Sequence, residues 1–190
     1  HFLQVLPKDS LTYASSFGKK ELREFWQKKI YRQNPSLAIA PISLPVVPAG
    51  VTHGLNIAGF LFADPGDILV TSDLHWENYD LIFRDCYGMS VETFPLFEGE
   101  KFHGQGMKDT LKKYSRPSRP LLLLLNFPHN PTGYALSNEE VDELVSALSD
   151  LAENGQDIVV LVDDAYFGLW YEEGLWRESL FGRLANLHER

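Results

Sequence analysis

The chain has 190 residues, enough for one domain by the prior of roughly 100–200 residues per domain. Its 44% hydrophobic and 23% charged residues are the composition of an ordinary soluble globular protein. A net charge of −9 without a basic stripe argues against nucleic acid as a partner, and no apolar run approaches the ~18 residues of a membrane span.

In chain order, residues 19–33 read as an amphipathic helix, with Leu22, Phe25, Trp26 and Ile30 at helical spacing. Residues 43–47 are mostly apolar and read as a first strand, with Pro45 inside it. Residues 52–62 read as a helix carrying Leu55, Ala58, Gly59 and Phe62 on one face. A turn at Asp64-Pro65-Gly66-Asp67 leads into a strand at residues 68–70. A helix over residues 77–87, stopped at Gly88, precedes a strand at residues 91–96. Leu121 to Leu125 is a continuous apolar run that empties into Asn126-Phe127-Pro128-His129-Asn130-Pro131-Thr132-Gly133. Ser137 and Glu140 match a capping box for a helix carrying Val141, Leu144, Val145 and Leu148, which Asn154-Gly155 ends. Residues 158–162 form a second apolar run, which stops at Asp163-Asp164-Ala165-Tyr166. Leu180, Leu184 and Leu187 suggest a last helix.

Strands alternating with helices imply right-handed crossovers and a parallel sheet. Continuous apolar runs read as strands buried on both faces. Ligands bind at the carboxyl ends of such strands, so the chemistry is expected around Asn130 and Asp163.

Asn130-Pro131-Thr132-Gly133 and Asp163-Asp164-Ala165-Tyr166 stand in an order shared with three other segments. These run from Tyr13 through Gly18 to Leu22-Arg23, then Gly50-Val51-Thr52-His53-Gly54, then Trp76-Glu77-Asn78-Tyr79. Together they cover nearly the whole chain, and with them the sequence resembles the fold-type I enzymes dependent on pyridoxal phosphate (PLP). The closest likeness is to class I/II aminotransferases of the aspartate/aromatic kind. The resemblance implies a three-layer α/β/α large domain with a mostly parallel sheet over residues 36–190, incomplete at its C-terminus. Residues 1–35 would be an N-terminal segment and helix leading into it.

The same resemblance implies a role for each candidate. Asp163 would sit beside the pyridine nitrogen and keep it protonated, since a neighbouring carboxylate favours the charged form. Tyr166 and Asn130 would hydrogen-bond the cofactor's phenolic oxygen. The Val51 and Thr52 amides and the Thr52 hydroxyl would cradle its phosphate at a helix N-terminus. Trp76 would stack on the ring, and Tyr13 would reach the phosphate of the neighbouring subunit in a homodimer. Each has a plainer alternative: an Asp pair ending a strand, core aromatics at Tyr166 and Trp76, a cap at Thr52, turn chemistry at Asn130, local packing at Tyr13. His129 reads as a packing or supporting residue rather than a base.

The family's chemistry also needs a lysine joined to PLP as an imine, and the last lysine here is Lys113. No residue of this chain is therefore assigned a catalytic role. The chain is read as a fragment, inactive alone, of an enzyme exchanging an amino group between an amino acid and a 2-oxo acid. A lyase or decarboxylase on the same fold, or a non-catalytic effector domain, are the alternatives. Cys86 is the only cysteine, which excludes an internal disulfide and fits a reducing cytoplasm. The six histidines show no metal-ligand spacing, and Gly104-Gln105-Gly106 lacks the third glycine of a dinucleotide site. The resemblance carries two further expectations: a cis Asn130-Pro131 bond, and an open edge along residues 158–162. Two strands expected after Arg190 would lie between that edge and residues 43–47.

Overall fold

A computed structural model describes residues 4–38, 40–116, 119–185 and 187–188. Four parallel strands form the central sheet in the order β2-β1-β5-β6, with β1 at Ile68–Ser72, β2 at Ser90–Phe94, β5 at Leu121–Asn126 and β6 at Ile158–Asp163. A two-stranded antiparallel hairpin, β3 (Phe97–Glu98) and β4 (Lys101–Phe102), follows β2. The helices are α1 (Pro7–Ser10), α2 (Lys20–Gln33), α3 (Val51–Phe62), α4 (Gly104–Tyr114), α5 (Asn138–Glu153) and α6 (Leu180–Leu184), with a π-helix at Asp80–Cys86.

The two-residue period of the strands divides the core into two layers. Ile68, Val70, Leu121, Leu123 and Leu125 face Met107 and Leu111 of α4 and Val141, Leu144 and Leu148 of α5. Leu69, Leu122 and Leu124 point the other way, toward Leu55 of α3, Tyr79, and Ile82 and Phe83 of the π-helix. This is the three-layer α/β/α arrangement that the resemblance implies, and the run at residues 121–125 is buried on both faces, as its continuous apolar character implies.

The expected strand at residues 43–47 does not form. The segment has no strand partner among the described residues, and Pro45 has no amide to give one. Side chains of α2 take its carbonyls instead. Arg23 donates to Pro45 O (2.6 Å) and Leu44 O (3.1 Å), Gln27 to Ile42 O (3.1 Å), and Tyr31 to Ala40 O (2.8 Å). Four helical residues rise about 6 Å and two extended residues about 6.6 Å, so the ladder stays in step. The apolar residues of α2 are not the buried stripe their spacing suggests: Leu22, Phe25 and Trp26 remain 41%, 57% and 40% exposed.

Strand β6 pairs along its full length with β5 and with no other strand among the described residues, as the open-edge expectation has it. Its first five side chains are only half-buried, whereas those of β5 are fully buried. The segment expected as a helix over residues 77–87 is the π-helix, and Gly88 ends it with φ +69. Helix α4 had no forecast, because Gly104 and Gly106 at its start mask the Met107 and Leu111 spacing.

The capping box at α5 is complete, and Glu140 does more than cap. Its Oε2 accepts the Ser137 amide (2.8 Å), while Oε1 accepts the Phe102 amide (2.8 Å) and the Tyr134 hydroxyl (2.6 Å). Burial opposes its ionisation, but these donors win and hold the carboxyl below the usual carboxylate range. One side chain thus joins α5, the β3–β4 hairpin and the loop after β5. Replacing Glu140 by Gln leaves donors without an acceptor and is expected to cost roughly 2–3 kcal/mol, against about 1 kcal/mol for Ser137→Ala. Urea midpoints for the two variants, compared at neutral pH, check the ranking.

Candidate active site

Parallel pairing in register brings the strand ends to one edge: Ser72 of β1, Asn126 of β5 and Asp163 of β6. Asn126 and Asp163 are directly opposite one another. Helix α3 turns through residues 63–67 straight into β1, so it runs back along the sheet and points its N-terminus at this same edge. Gly54 makes the first intrahelical bond of α3, to Gly50 O (3.0 Å), so the amides of Val51 and Thr52 lie in the unpaired first turn. Both side chains are exposed.

Asp163 is buried, 6% exposed, and tightly restrained. Oδ2 accepts the Tyr79 hydroxyl (2.7 Å), Oδ1 accepts the Ala165 amide (3.0 Å), and Asn126 Nδ2 donates to the Asp163 carbonyl (2.8 Å). Tyr79 is 1% exposed, and burial together with the Asp163 carboxylate drives its hydroxyl far above the usual phenol range, so it remains a donor. No cationic side chain pairs with Asp163 among the described residues. A buried carboxylate with donors but no counter-charge suits a protonated heterocyclic nitrogen.

Asn126 also holds the loop after β5, because its Oδ1 accepts the Asn130 amide (2.8 Å). The loop closes on itself through Gly133 N to His129 O and His129 N to Tyr134 O, both 2.7 Å. Gly133 takes φ +74 there, which a side chain would disfavour. Asn130-Pro131 is cis, as expected, and Phe127-Pro128 is cis as well. Asn130 and Tyr166 line one cleft with His129, Pro131 and Leu169.

His129 ties this loop to β1 through a hydrogen-bond chain of one direction. The Tyr134 amide donates to Thr132 Oγ1 (3.2 Å), which faces His129 Nδ1 (2.9 Å), and His129 Nε2 faces Ser72 Oγ (3.1 Å). Ser72 Oγ donates onward to Leu74 O (2.8 Å). Because Ser72 Oγ gives its hydrogen to Leu74 O, His129 Nε2 must carry one, and burial, which pushes the imidazole down to about 4, leaves Nδ1 bare to accept from the Thr132 hydroxyl. His129 is therefore a supporting residue and not a base.

Trp76 is half-buried and meets the Tyr79 ring edge-on, with centroids 5.7 Å apart. Tyr13, on the N-terminal segment, is 92% exposed. The candidates Asp163, Asn130 and Tyr166 are thus gathered at the strand ends, with Val51 and Thr52 on the helix whose N-terminus points to the same edge. Sequence reasoning named Tyr79 only as part of a motif and gave Asn126 and Ser72 no role. Asn126, the last residue of the apolar run, was the available signal.

The chain matches the family model for aminotransferase class I and II over residues 6–189. It is 29% identical to the aspartate/prephenate aminotransferase of Thermus thermophilus over 171 residues, covering 89% of this chain and 41% of that protein. It is 28% identical to a probable aspartate/prephenate aminotransferase of Aquifex aeolicus, covering 86% and 39%. Among solved structures, an aminotransferase from Anaerococcus prevotii superposes with a TM-score of 0.77 at 28% identity, over 87% of this chain and 40% of that one. The chain spans about two fifths of the length of the relatives it matches. It belongs to the class I and II aminotransferase family, whose members depend on PLP.

Two groups near the site, half-buried Asp164 and buried His129, titrate in opposite senses. Burial, with the charge of Asp163 alongside, pushes Asp164 up to about 6 against a hydrogen bond from Ser179, and Asp164 Oδ1 has no partner. A carboxyl raised in the fold contributes stability below its ordinary value of about 3.9 and loses it as pH rises through about 6. His129, lowered to about 4, contributes above its ordinary 6.5 and loses that contribution as pH falls toward 4. Asp164→Asn is therefore expected to stabilise the fold at pH 7.5 by roughly 1–3 kcal/mol and to change little at pH 4. His129→Gln should instead remove part of the acid sensitivity. Urea unfolding of both variants at pH 4 and 7.5 reads these signs, and destabilisation by Asp164→Asn at pH 7.5 would contradict the assignment.

Proposed function

We propose that this chain is the cofactor-binding part of a PLP-dependent aminotransferase that, at full length, moves an amino group between an amino acid and a 2-oxo acid. The observation that carries this reading is Asp163, a buried strand-end carboxylate restrained on three sides and lacking a cationic partner. When bound, PLP supplies an electron sink for the substrate's α-carbon, effective while its ring nitrogen is protonated. Asp163 holds that proton at the nitrogen, and Tyr79 and Asn126 hold Asp163. The Asn130 amide group and the Tyr166 hydroxyl donate to the phenolic oxygen. The Val51 and Thr52 amides with the Thr52 hydroxyl hold the phosphate, where a helix N-terminus favours an anion.

Trp76 would supply an indole face on which the cofactor ring could pack. Tyr13, with its exposed hydroxyl, serves the phosphate of a second subunit in a cytoplasmic homodimer. The lysine that links the cofactor covalently is not among residues 1–190 after Lys113. Activity accordingly belongs to the longer protein.

PLP titrated into the 190-residue chain is expected to bind reversibly, and borohydride is expected to trap no adduct on its lysines. Asp163→Asn should weaken binding roughly 10- to 100-fold, the loss of one hydrogen bond to a charged group. Equal affinity of the variant and the wild type would sink the reading. In the full-length protein, amino transfer to 2-oxoglutarate separates a transaminase from a lyase or decarboxylase.

A further inference from the structure

Tyr79 reaches Asp163 only while its ring stays put, and among the side chains packed on that ring is His75, stacked on its face. The two rings stack with centroids 6.2 Å apart and planes 15° from parallel. His75 is fixed at both nitrogens: Nδ1 lies 2.7 Å from the Ser72 carbonyl oxygen and Nε2 lies 2.8 Å from Asp80 Oδ2. A carbonyl and a carboxylate offer lone pairs alone, whereas a neutral imidazole has one donor and one acceptor nitrogen. Both contacts are satisfied together only when each nitrogen carries a proton.

The surroundings agree with a charged ring. Asp80 accepts Arg84 Nη1 (2.8 Å) through its other oxygen, so charge alternates along His75, Asp80 and Arg84. His129, on the loop after β5, is held neutral chiefly by its burial and so adds no like charge near His75. Tyr79, under the ring, is an uncharged donor. The groups near His75 include Asp80 and Arg84 on the π-helix, His129 on the β5 loop, Tyr79 below, the Ser72 carbonyl on β1, and Asp73, whose Oδ1 accepts the Leu74 and Leu96 amides.

We propose that His75, as an imidazolium bridging the Ser72 carbonyl and Asp80, is a positioning residue that holds Tyr79 against Asp163. It thereby sets how firmly the site grips a protonated heterocyclic ring. This rests on the reading of Asp163 as the partner of PLP. A ring without a donor at Nε2, 2.8 Å from Asp80 Oδ2, would set two lone pairs against each other.

Two measurements on the 190-residue chain test it. Long-range proton–nitrogen NMR of the histidine rings reads the protons without any cofactor. The expected result is a His75 protonated on both nitrogens at pH 7, becoming singly protonated in Asp80→Asn. A bare nitrogen on wild-type His75 at pH 7 overturns the proposal. The second measurement is PLP binding followed by tryptophan fluorescence. His75→Gln should weaken binding roughly five- to tenfold, less than Asp163→Asn, because the Tyr79 bond to Asp163 is loosened rather than removed. In a Tyr79→Phe background it should weaken binding no further, because His75 acts through Tyr79. Additive losses, or no loss, overturn the positioning role. Failure of the wild-type chain to bind PLP instead overturns the reading of Asp163, and the NMR result then stands apart from it.

Discussion

Everything at this site depends on the in-register parallel pairing of β5 with β6. Side chains on parallel strands point alternately to the two faces, and a slip of one residue would exchange them. Here the register is held by six consecutive pairs from Leu121 with Ile158 to Asn126 with Asp163. Leu121 to Leu125 are apolar on both faces, so no buried polar group interrupts the run until the strand end. The first polar residues of β5 and β6 therefore appear opposite each other, at the edge where the backbone leaves the sheet. Asn126 then serves two masters, giving its amide hydrogen to β6 and its oxygen to the loop that carries Asn130.

The polar groups at that edge form separate chains with fixed directions. One runs from Tyr134 through Thr132, His129 and Ser72 to the Leu74 carbonyl, and keeps the Asn130 loop seated on β1. Another runs from Tyr79 to Asp163 and keeps the carboxylate aimed. His129 in the first chain faces two hydroxyls, which can both give and accept, whereas His75 beside the second faces a carbonyl and a carboxylate, which can only accept. Buried networks of this kind rigidify a site when every member is satisfied.

Much of this was legible in the sequence, and the parts that were not have physical reasons. The Ser137–Glu140 box, the Leu121–Leu125 run and Asp163 at the end of residues 158–162 are local signals, and each stands where its pattern puts it. Tyr79 and Asp163 are 84 residues apart, and no periodicity announces a contact of that range. The Phe102 amide on Glu140 spans 38 residues and was equally hidden. Residues 43–47 show the opposite failure: apolar composition signals an extended chain, but pairing needs a neighbour, and α2 side chains supply the acceptors' partners instead. Phe25 and Trp26 have helical spacing, yet spacing does not say what will cover them.

The contrast between β5 and β6 bears on how well the site can be held. Ile158, Val160 and Val162 line an apolar cleft with Leu148, Leu184 and Leu187, and β6 offers an unpaired backbone edge among the described residues. An edge strand with half-exposed aliphatic side chains is the most deformable part of a parallel sheet. Asp163, at its end, is nevertheless restrained from the other side. Asn126 holds its carbonyl from β5, and Tyr79 holds its carboxylate from the opposite helical layer. Both of those residues are buried in the finished part of the core. The position of the carboxylate therefore follows the rigid interior rather than the open edge, and a site built in this way keeps its aim even where its own strand is loosely covered.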